Sequence, residues 1–273
     1  MELFYITNNP TEAAEADAAG ADRIFIDTEK LGKSERQKGF DTHLGTHMLE
    51  DIIAIRKVVK RAEIMVRINP LNKDTSYEIE QAVKYGADRI MLPMFTHSDE
   101  VKKTADMIPQ GIKLVALVET AAAMARLDDI INVKGLDEVH IGLNDLTISL
   151  GLDFLFEPLA CGIIDFMAEK LNKSNIAWGF GGIARIGGGA ISSEMILAEH
   201  RRLGSERVIL SRAFRAQQGE KHYCLSAEIK RIRNKISEIK TMPKESLEKN
   251  KIEIKQKIIN VTANIRRGRA DEK

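Results

Sequence analysis

Eight short apolar runs recur along the first two thirds of the chain, and stretches with the apolar spacing of helices lie between them. The runs are Leu3–Thr7, Arg23–Asp27, Ile64–Ile68, Arg89–Leu92, Lys113–Val118, Glu138–Ile141, Ile176–Phe180 and Arg207–Leu210. Strand-length runs that alternate with helices are typical of parallel β-α-β units. Eight units in about 220 residues predict an α/β fold, a (β/α)8 TIM barrel, with its active site at the carboxyl ends of the strands. An open, doubly wound sheet is the main alternative, because periodicity does not show closure.

The composition predicts one barrel domain over residues 1–222 and a helical extension over residues 223–273. The 273 residues are 44% hydrophobic, which is enough to bury a full core. The first 17 residues have neither a basic start nor a long apolar stretch, so we expect no signal peptide and no membrane contact. Cys161 and Cys224 are too few for a disulfide framework or a thiolate metal site. We therefore expect a cytoplasmic protein.

The extension is basic, with 14 Lys and Arg against 7 Asp and Glu from Leu225 to Lys273. Apolar residues follow helical spacing on both sides of Pro243, which predicts two amphipathic helices. These residues are Ile229, Ile232, Ile236, Ile239, Leu247, Ile254, Ile258, Val261 and Ile265. Aromatic side chains that stack on bases are absent there, so a subunit contact is favoured over RNA binding. We expect a homo-oligomer that assembles through the C-terminal helices and binds no nucleic acid.

Charged residues follow three of the predicted strands. Arg67 lies at the end of the third strand, Glu119 follows the fifth, and Asp145 comes shortly after the sixth. Two carboxylates without cysteine indicate a site for a hard cation, Mg2+ or Mn2+, which would bind the oxygens of a small 2-oxo acid. The guanidinium of Arg67 suits the same oxygens. The alternative is that Glu119 and Asp145 each cap a following helix.

A glycine-rich segment follows the seventh predicted strand and includes Gly181, Gly182 and Arg185. In barrels the loops after strands seven and eight often bind phosphate, and helix starts attract anions. Arg185, with Ser211 and Arg212 after the eighth predicted strand, is therefore a candidate for binding a phosphate or a second carboxylate of the substrate. A flexible lid that only closes over the substrate is the alternative interpretation.

His43 lies in a polar, glycine-bearing stretch before the helix that precedes the third strand. Histidine carries protons near neutral pH, so His43 is a candidate catalytic acid or base, and His47 is a second one. Solvated loop histidines are the alternative. His140 falls within the sixth predicted strand, and we expect it to pack inside the barrel.

Four stretches of the sequence resemble the HpcH/HpaI aldolase and citrate lyase family. They are VRIN at 66–69, GADRIMLPMF at 86–95, LVALVET at 114–120 and IGLNDLTISLG at 141–151. The resemblance runs in order from Asp22 to Phe214, and it implies a (β/α)8 barrel that uses a divalent metal. Such a barrel makes or breaks carbon–carbon bonds through an enolate of pyruvate or of an acyl thioester. The resemblance also implies that Glu119 and Asp145 bind the metal and that Arg67 contacts the enolate oxygen.

The end of the second strand departs from the pyruvate aldolase branch of that family. That branch has a histidine shortly after this strand, whereas the segment Ile26–Lys30 has none. The pair formed by Asp27 and Glu29 is more similar to the citrate lyase β-subunit. We expect these two carboxylates to contribute to substrate binding, either by orienting water on the metal or by holding Lys30 and Arg36.

Three functions are compatible with these features. The first is a carbon–carbon lyase that acts on a 2-oxo acid and an aldehyde, with His43 or a water on the metal moving the proton. The second is an acyl-CoA lyase or thioesterase, or a transferase that handles phosphoenolpyruvate on the same barrel. The third is a noncatalytic oligomeric scaffold, which has no physical need for Arg67, Glu119 and Asp145 at one mouth. The lyase is our preferred hypothesis.

Overall fold

The computed structural model describes residues 1–33, 47–215, 220 and 222–271, and it contains a parallel β-sheet surrounded by helices. All eight runs predicted as strands are strands, with ends that differ from the prediction by at most one residue. The strands are β1 (Glu2–Ile6), β2 (Arg23–Asp27), β3 (Glu63–Arg67), β4 (Arg89–Leu92), β5 (Lys113–Val118), β6 (Glu138–Ile141), β7 (Ala177–Phe180), β8 (Gly182–Ile183) and β9 (Arg207–Leu210). The additional strand is β8, a two-residue continuation of β7.

The strand order shows how the sheet closes. Neighbouring strands are parallel in the order β7-β6-β5-β4-β3-β2-β1-β9-β8, and only Gly181, with a φ of 53°, separates β7 from β8. Glycine suits this position, because the left-handed backbone conformation favours a residue without a side chain. The carbonyl of Trp178 in β7 accepts a hydrogen bond from the Glu206 N–H beside β9, at 3.1 Å. The two ends of the order therefore adjoin, and the fold is a TIM barrel rather than an open sheet.

Helices cover the outside of the barrel, and a 3-10 turn at Arg212–Phe214 follows β9. The described α-helices are α1 (Pro10–Ala19), α2 (Asp51–Val58), α3 (Thr75–Tyr85), α4 (Ser98–Ala105), α5 (Ala121–Ala125), α6 (Leu127–Ile131), α7 (Leu143–Ser149), α8 (Glu157–Ala160), α9 (Ile163–Lys173), α10 (Ser193–Leu203), α11 (Leu225–Lys240) and α12 (Lys244–Asp271). Each parallel crossover from strand to strand thus passes over the outside of the sheet.

Apolar side chains pack on both sides of the barrel wall, because alternate residues of a strand point to opposite faces. The smaller cluster, inside the barrel, consists of Phe4, Phe25, Met65, Met91, Val115 and Leu117. The larger one joins the outer faces of the strands to the helices and extends to α11 and α12. Since side chains fill the middle of the barrel, its charged groups lie at the two ends.

A buried ionic network closes the amino end of the barrel. Arg23, at the start of β2, is fully buried, and each of its Nη atoms lies 2.7 Å from a carboxylate oxygen of Glu138. Arg207 and Arg89 also contact Glu138, at 3.0 and 3.4 Å. The other members of the network are Glu2 and Glu63. The three glutamates and three arginines compensate one another's charge, which is the condition under which burial of ions is tolerated.

The C-terminal extension forms the two predicted helices, with Pro243 between them. Their apolar stripe packs on the same chain: α11 lies against α1 and α10, and α12 lies against α8 and α10. The buried members of the stripe are Ile229, Ile232, Ile239, Leu247, Ile254 and Ile258. The barrel of the same chain thus covers this stripe, and assembly through the extension remains a prediction. None of the helices in the described ranges, including the 28-residue α12, is long and apolar enough to cross a membrane.

Removal of the Glu138 carboxylate is expected to destabilise the barrel. Glu138→Ala leaves Arg23 buried beside two other arginines without its main partner, and breaking such a pair costs about 3–5 kcal/mol of unfolding free energy. Glu169→Ala is the control, since Glu169 and its partner Lys173 are both exposed, and it should leave stability unchanged. Urea denaturation followed by circular dichroism measures both variants. Equal midpoints for the two would contradict the structural role of the network.

The packing of α12 on the barrel predicts a second stability difference. Ile258 is fully buried, whereas 72% of Ile252 on the same helix is exposed. Ile258→Ala should lower the free energy of unfolding by about 2–5 kcal/mol, and Ile252→Ala should change it by less than about 0.5 kcal/mol. Thermal unfolding at several protein concentrations tests this expectation. A loss for Ile258→Ala that depends on concentration would place α12 in a subunit interface instead.

Candidate active site

Residues from different strands meet at the carboxyl end of the barrel, because parallel strands all end at the same mouth. Asp27 and Arg67 are the last residues of β2 and β3 and are paired in register. Glu119 directly follows β5, and Asp145 lies in the first turn of α7, after β6. Glu119 interacts electrostatically with both Arg67 and Asp145. The structure therefore brings together the three residues that sequence alone placed at separate strand ends.

Arg67 is half-buried, with 14% of its side chain exposed, and it is held by two carboxylates. Its Nε and Nη2 atoms bind the two oxygens of Asp27, at 2.8 and 2.7 Å, and its Nη1 lies 3.4 Å from Glu29 Oε2. The pKa of Asp27 lies below its usual range, because Arg67 and Lys33 outweigh the opposite effect of burial. This bidentate pairing restricts rotation of the guanidinium. Two of its five N–H groups donate to Asp27.

Glu119 lies in a tightly shaped niche, with 2% of its surface exposed. Its Oε1 accepts a hydrogen bond from the backbone N–H of Met94, at 3.1 Å, and Met94 has a positive φ of 56°. Such a conformation is strained for a residue with a side chain, so it marks a segment held in place by its surroundings. On the other side, a Cβ at Gly142 would lie 2.7 Å from Glu119 Oε2. The carboxylate thus needs a glycine at this position.

The interpretation of Glu119 and Asp145 as helix caps is wrong. The cap of α5 is Thr120, whose hydroxyl accepts a hydrogen bond from the Ala123 N–H, and the cap of α7 is Gly142. Glu119 and Asp145 are both buried, and they lie close enough to interact. Burial raises the pKa of Glu119 well above its usual range, and the charge of Asp145 raises it further.

The two buried carboxylates fit a hard divalent cation. Among the described residues no cation lies within ion-pair distance of Glu119, and the charge of nearby Arg67 offsets burial and the repulsion with Asp145 only in part. A divalent ion between Glu119 and Asp145 would offset both effects. No group of three or more His, Cys, Asp or Glu side chains suited to a metal occurs among the described residues. Two protein ligands suffice for Mg2+, which keeps several waters and takes oxygens from its substrate.

Lys33 is a member of the site that sequence reasoning missed. Its Nζ lies 2.6 Å from Asp27 Oδ2 and 3.8 Å from Glu29 Oε2, and only 4% of its side chain is exposed. Lys30, which was expected in this role, is exposed, and Arg36 lies outside the described residues. The available signal was the four-residue spacing of Glu29 and Lys33, which often joins opposite charges. We call Asp27, Glu29, Lys33, Arg67, Glu119 and Asp145 the mouth cluster.

The histidines have different outcomes. His43 lies outside the described residues, so its catalytic role remains a prediction. His47 is buried at the mouth, where its Nδ1 accepts a hydrogen bond from the Asp27 N–H at 3.0 Å, and burial lowers its pKa. His140 packs inside the barrel as predicted, with its Nε2 3.2 Å from the Gly181 carbonyl oxygen, and burial lowers its pKa to about 4. His47 is therefore the described histidine nearest to the mouth cluster.

Close packing explains at least one glycine of the glycine-rich segment. A Cβ at Gly181 would lie 2.7 Å from the side chain of Leu143. The side chain of Arg185 points to the segment before α11: its Nη1 binds Glu220 at 2.6 Å, and its guanidinium lies 5.5 Å from the centre of the Tyr223 ring. The other predicted contacts are Gly182, which pairs with β9, Ser211, whose N–H binds the Ile183 carbonyl, and Arg212, which is exposed. Substrate binding by these five residues remains a prediction.

Comparison with known proteins gives a family and a relative. A family model described as HpcH/HpaI aldolase/citrate lyase matches residues 1–154, which is more than half of the chain. A hydroxypyruvate/pyruvate aldolase from Rhizorhabdus wittichii is 32% identical over 79 residues, or 26% of this chain. The matched region covers 32% of the length of that curated relative.

Solved structures share the fold. An HpcH/HpaI aldolase from Desulfitobacterium hafniense DCB-2 is similar with a TM-score of 0.61 at 16% identity, over 89% of this chain and 93% of that one. The citrate synthase SbnG is similar with a TM-score of 0.59 at 19% identity, over 77% of this chain and 84% of that one. At these identities the likeness shows the barrel alone, because one fold supports many reactions.

Proposed function

The chain belongs to the HpcH/HpaI aldolase/citrate lyase family, and from this premise we propose that it is a divalent-metal-dependent carbon–carbon lyase. We propose further that it acts through an enolate of pyruvate or a related 2-oxo acid, with an aldehyde as the second substrate. The observation that carries the proposal is the burial of Glu119 and Asp145 beside Arg67 at the mouth of the barrel. The partial match to a pyruvate aldolase supports the choice of a 2-oxo acid.

The proposed cofactor is Mg2+ or Mn2+, held by Glu119 and Asp145. When bound, it would polarise the carboxylate and keto oxygens of the 2-oxo acid. Support comes from the donors themselves, which are two buried carboxylates, and oxygen ligands suit these cations. The raised pKa of Glu119 implies that protons compete with the cation, so we expect cation affinity to fall as the pH falls.

Arg67 is assigned to the negative charge that develops during the reaction. When a proton or a carbon fragment leaves the carbon next to the keto group, its electron pair moves towards the keto oxygen and gives the enolate. The N–H groups of Arg67 that Asp27 does not occupy would stabilise this oxygen, and a preorganised donor does so without rearranging. His43 remains our candidate for moving the proton, and Glu29 would help to hold Arg67.

A second reaction class has one observation in its favour. The strand β2 ends at Asp27 and Glu29 follows two residues later, with no histidine in the segment up to Lys30, and this pattern resembles the citrate lyase β-subunit more than a pyruvate aldolase. An acyl-CoA lyase or thioesterase, or a transferase that handles phosphoenolpyruvate, is therefore our alternative. Under either reaction, Arg185, Ser211 and Arg212 remain candidates for binding the far end of the substrate. We also propose a homo-oligomer that works in the cytoplasm.

Exchange of the methyl protons of pyruvate in heavy water tests the proposal, because exchange requires the enolate but no second substrate. Proton NMR should show exchange that depends on added Mg2+ or Mn2+ and stops with chelator. Glu119→Gln and Asp145→Asn should each lower the exchange rate at least about 100-fold, equivalent to about 2.7 kcal/mol of transition-state stabilisation. Both substitutions keep the side-chain size while removing the charge.

Glu157→Gln is the matched control, since Glu157 is as buried as Asp145 but binds Arg266 and the backbone N–H groups of Asp153 and Phe154, which are not members of the mouth cluster. It should keep the wild-type exchange rate. Exchange without any cation, or full activity of Glu119→Gln, would contradict the metal-dependent mechanism. If cation binds but no exchange occurs, acyl-CoA and phosphoenolpyruvate become the substrates to test. Absence of both binding and exchange favours the noncatalytic scaffold.

A further inference from the structure

Lys33 occupies an unusual position for a lysine. Its side chain is 4% exposed, and its described ionic contacts are the carboxylates of Asp27 and Glu29. Lysines are almost never fully buried unless they are paired, because the ammonium group loses strong hydration. The proposed reaction has not so far required this residue. We therefore examine how Lys33 affects the carboxylates that surround Arg67.

The loop that carries Lys33 is fastened to β3, the strand that carries Arg67. The side-chain oxygen of Asn69 accepts hydrogen bonds from the backbone N–H groups of Lys30 and Leu31, at 2.8 and 2.9 Å. Asn69 is in turn held by Glu78, whose carboxylate binds both its backbone N–H and its side-chain nitrogen. The first part of the loop therefore has a defined position relative to Arg67, two residues before Asn69.

The charges of Lys33 and Arg67 alternate in space with those of two carboxylates. Asp27 Oδ2 lies 2.7 Å from Arg67 Nη2 and 2.6 Å from Lys33 Nζ. Glu29 Oε2 lies 3.4 Å from Arg67 Nη1 and 3.8 Å from Lys33 Nζ. Each cation thus contacts both anions in a closed quartet. Lys33 thus supplies positive charge to both of the carboxylates that Arg67 contacts.

We propose that Lys33 is a positioning residue for Arg67: it shares the charge of Asp27 and Glu29, so that Arg67 keeps its fork on Asp27 and directs its remaining N–H groups to the enolate oxygen. This inference rests on the proposed function, because the enolate is what makes the orientation of Arg67 matter. A displacement of a charged donor by a fraction of its bond length weakens stabilisation of the transition state more than binding of the ground state.

The test compares Lys33→Met with Lys30→Met and Lys33→Arg in the pyruvate exchange assay. Lys33→Met should lower kcat about 10–100-fold, somewhat less than the loss of a whole oxyanion donor. Lys30→Met is the matched control, since Lys30 is three residues away in the same loop but exposed, and it should retain the wild-type kcat. Lys33→Arg keeps the charge and should recover most of the activity. Binding of Mn2+ alone should be unchanged in all three variants.

The split between kcat and KM separates positioning from a general structural effect. Lys33 contacts Asp27 and Glu29, the two carboxylates that hold Arg67, and it is not assigned to the substrate itself. Loss of Lys33 should therefore lower kcat by a larger factor than it raises the KM for pyruvate, because Arg67 acts on charge that develops in the transition state.

The possible outcomes separate this inference from the proposed function. Wild-type exchange with a Lys33→Met variant that keeps at least half of the wild-type kcat would overturn the role of Lys33 and leave the lyase intact. A deficit that Lys33→Arg does not relieve, or one that appears mainly in KM, would also overturn it. No exchange by the wild type removes both. If Lys33→Met does not bind Mn2+ with wild-type stoichiometry, Lys33→Gln replaces it, because glutamine keeps a donor without the charge.

Discussion

Charge that is buried at the two ends of the barrel is handled in opposite ways, and the functional account depends on this contrast. At the amino end, Glu138 is in contact with Arg23, Arg89 and Arg207. At the carboxyl end, Glu119 is equally buried, but its described hydrogen bond comes from the uncharged N–H of Met94. A buried carboxylate with several cationic partners stabilises a fold only if all partners remain, whereas one without a cationic contact tends to hold a proton or bind a cation.

The architecture of the barrel explains why the proposed reaction is placed at the carboxyl end. Parallel register brings the last residues of β2 and β3 side by side, which places the Asp27 carboxylate in the fork of Arg67. The apolar cluster inside the barrel lies beneath these charged groups. It separates them from the ionic network at the amino end and excludes water from that side. Groups at the mouth therefore interact through a medium of low polarity, where a fixed guanidinium and a bound cation act more strongly than in water.

Much of this arrangement follows from patterns that are local in sequence. Apolar runs determine strands because each run is buried on both faces, and Pro243 ends a helix because it lacks an N–H group, so both features were predictable. Arg67, Glu119 and Asp145 were predictable as neighbours because the ends of parallel strands converge. The short strand β8 after Gly181 was not, because the need for glycine there depends on the close approach of Leu143, which is distant in sequence.

The position of Lys33 was also beyond sequence reasoning. Lysines and arginines recur after β2, and the hydrogen bonds of Asn69 to Lys30 and Leu31 help to place Lys33 beside Asp27. The same holds for the helix caps. Thr120 caps α5 because its hydroxyl lies in reach of the Ala123 N–H, and this leaves the adjacent Glu119 directed to the mouth. Sequence placed Glu119 beside a helix start, and the contacts of its side chain show that it does not cap the helix.

A crystal structure would test directly whether Glu119 and Asp145 bind a divalent cation beside Arg67. The crystals would be grown with Mn2+ and with oxalate, a mimic of the planar enolate of pyruvate. Anomalous scattering locates the cation independently of the surrounding density. We expect one Mn2+ in contact with carboxylate oxygens of both Glu119 and Asp145, together with oxalate, and Arg67 in contact with an oxalate oxygen. Mn2+ bound elsewhere, or oxalate bound by Arg67 with Glu119 and Asp145 free of any cation, would contradict it.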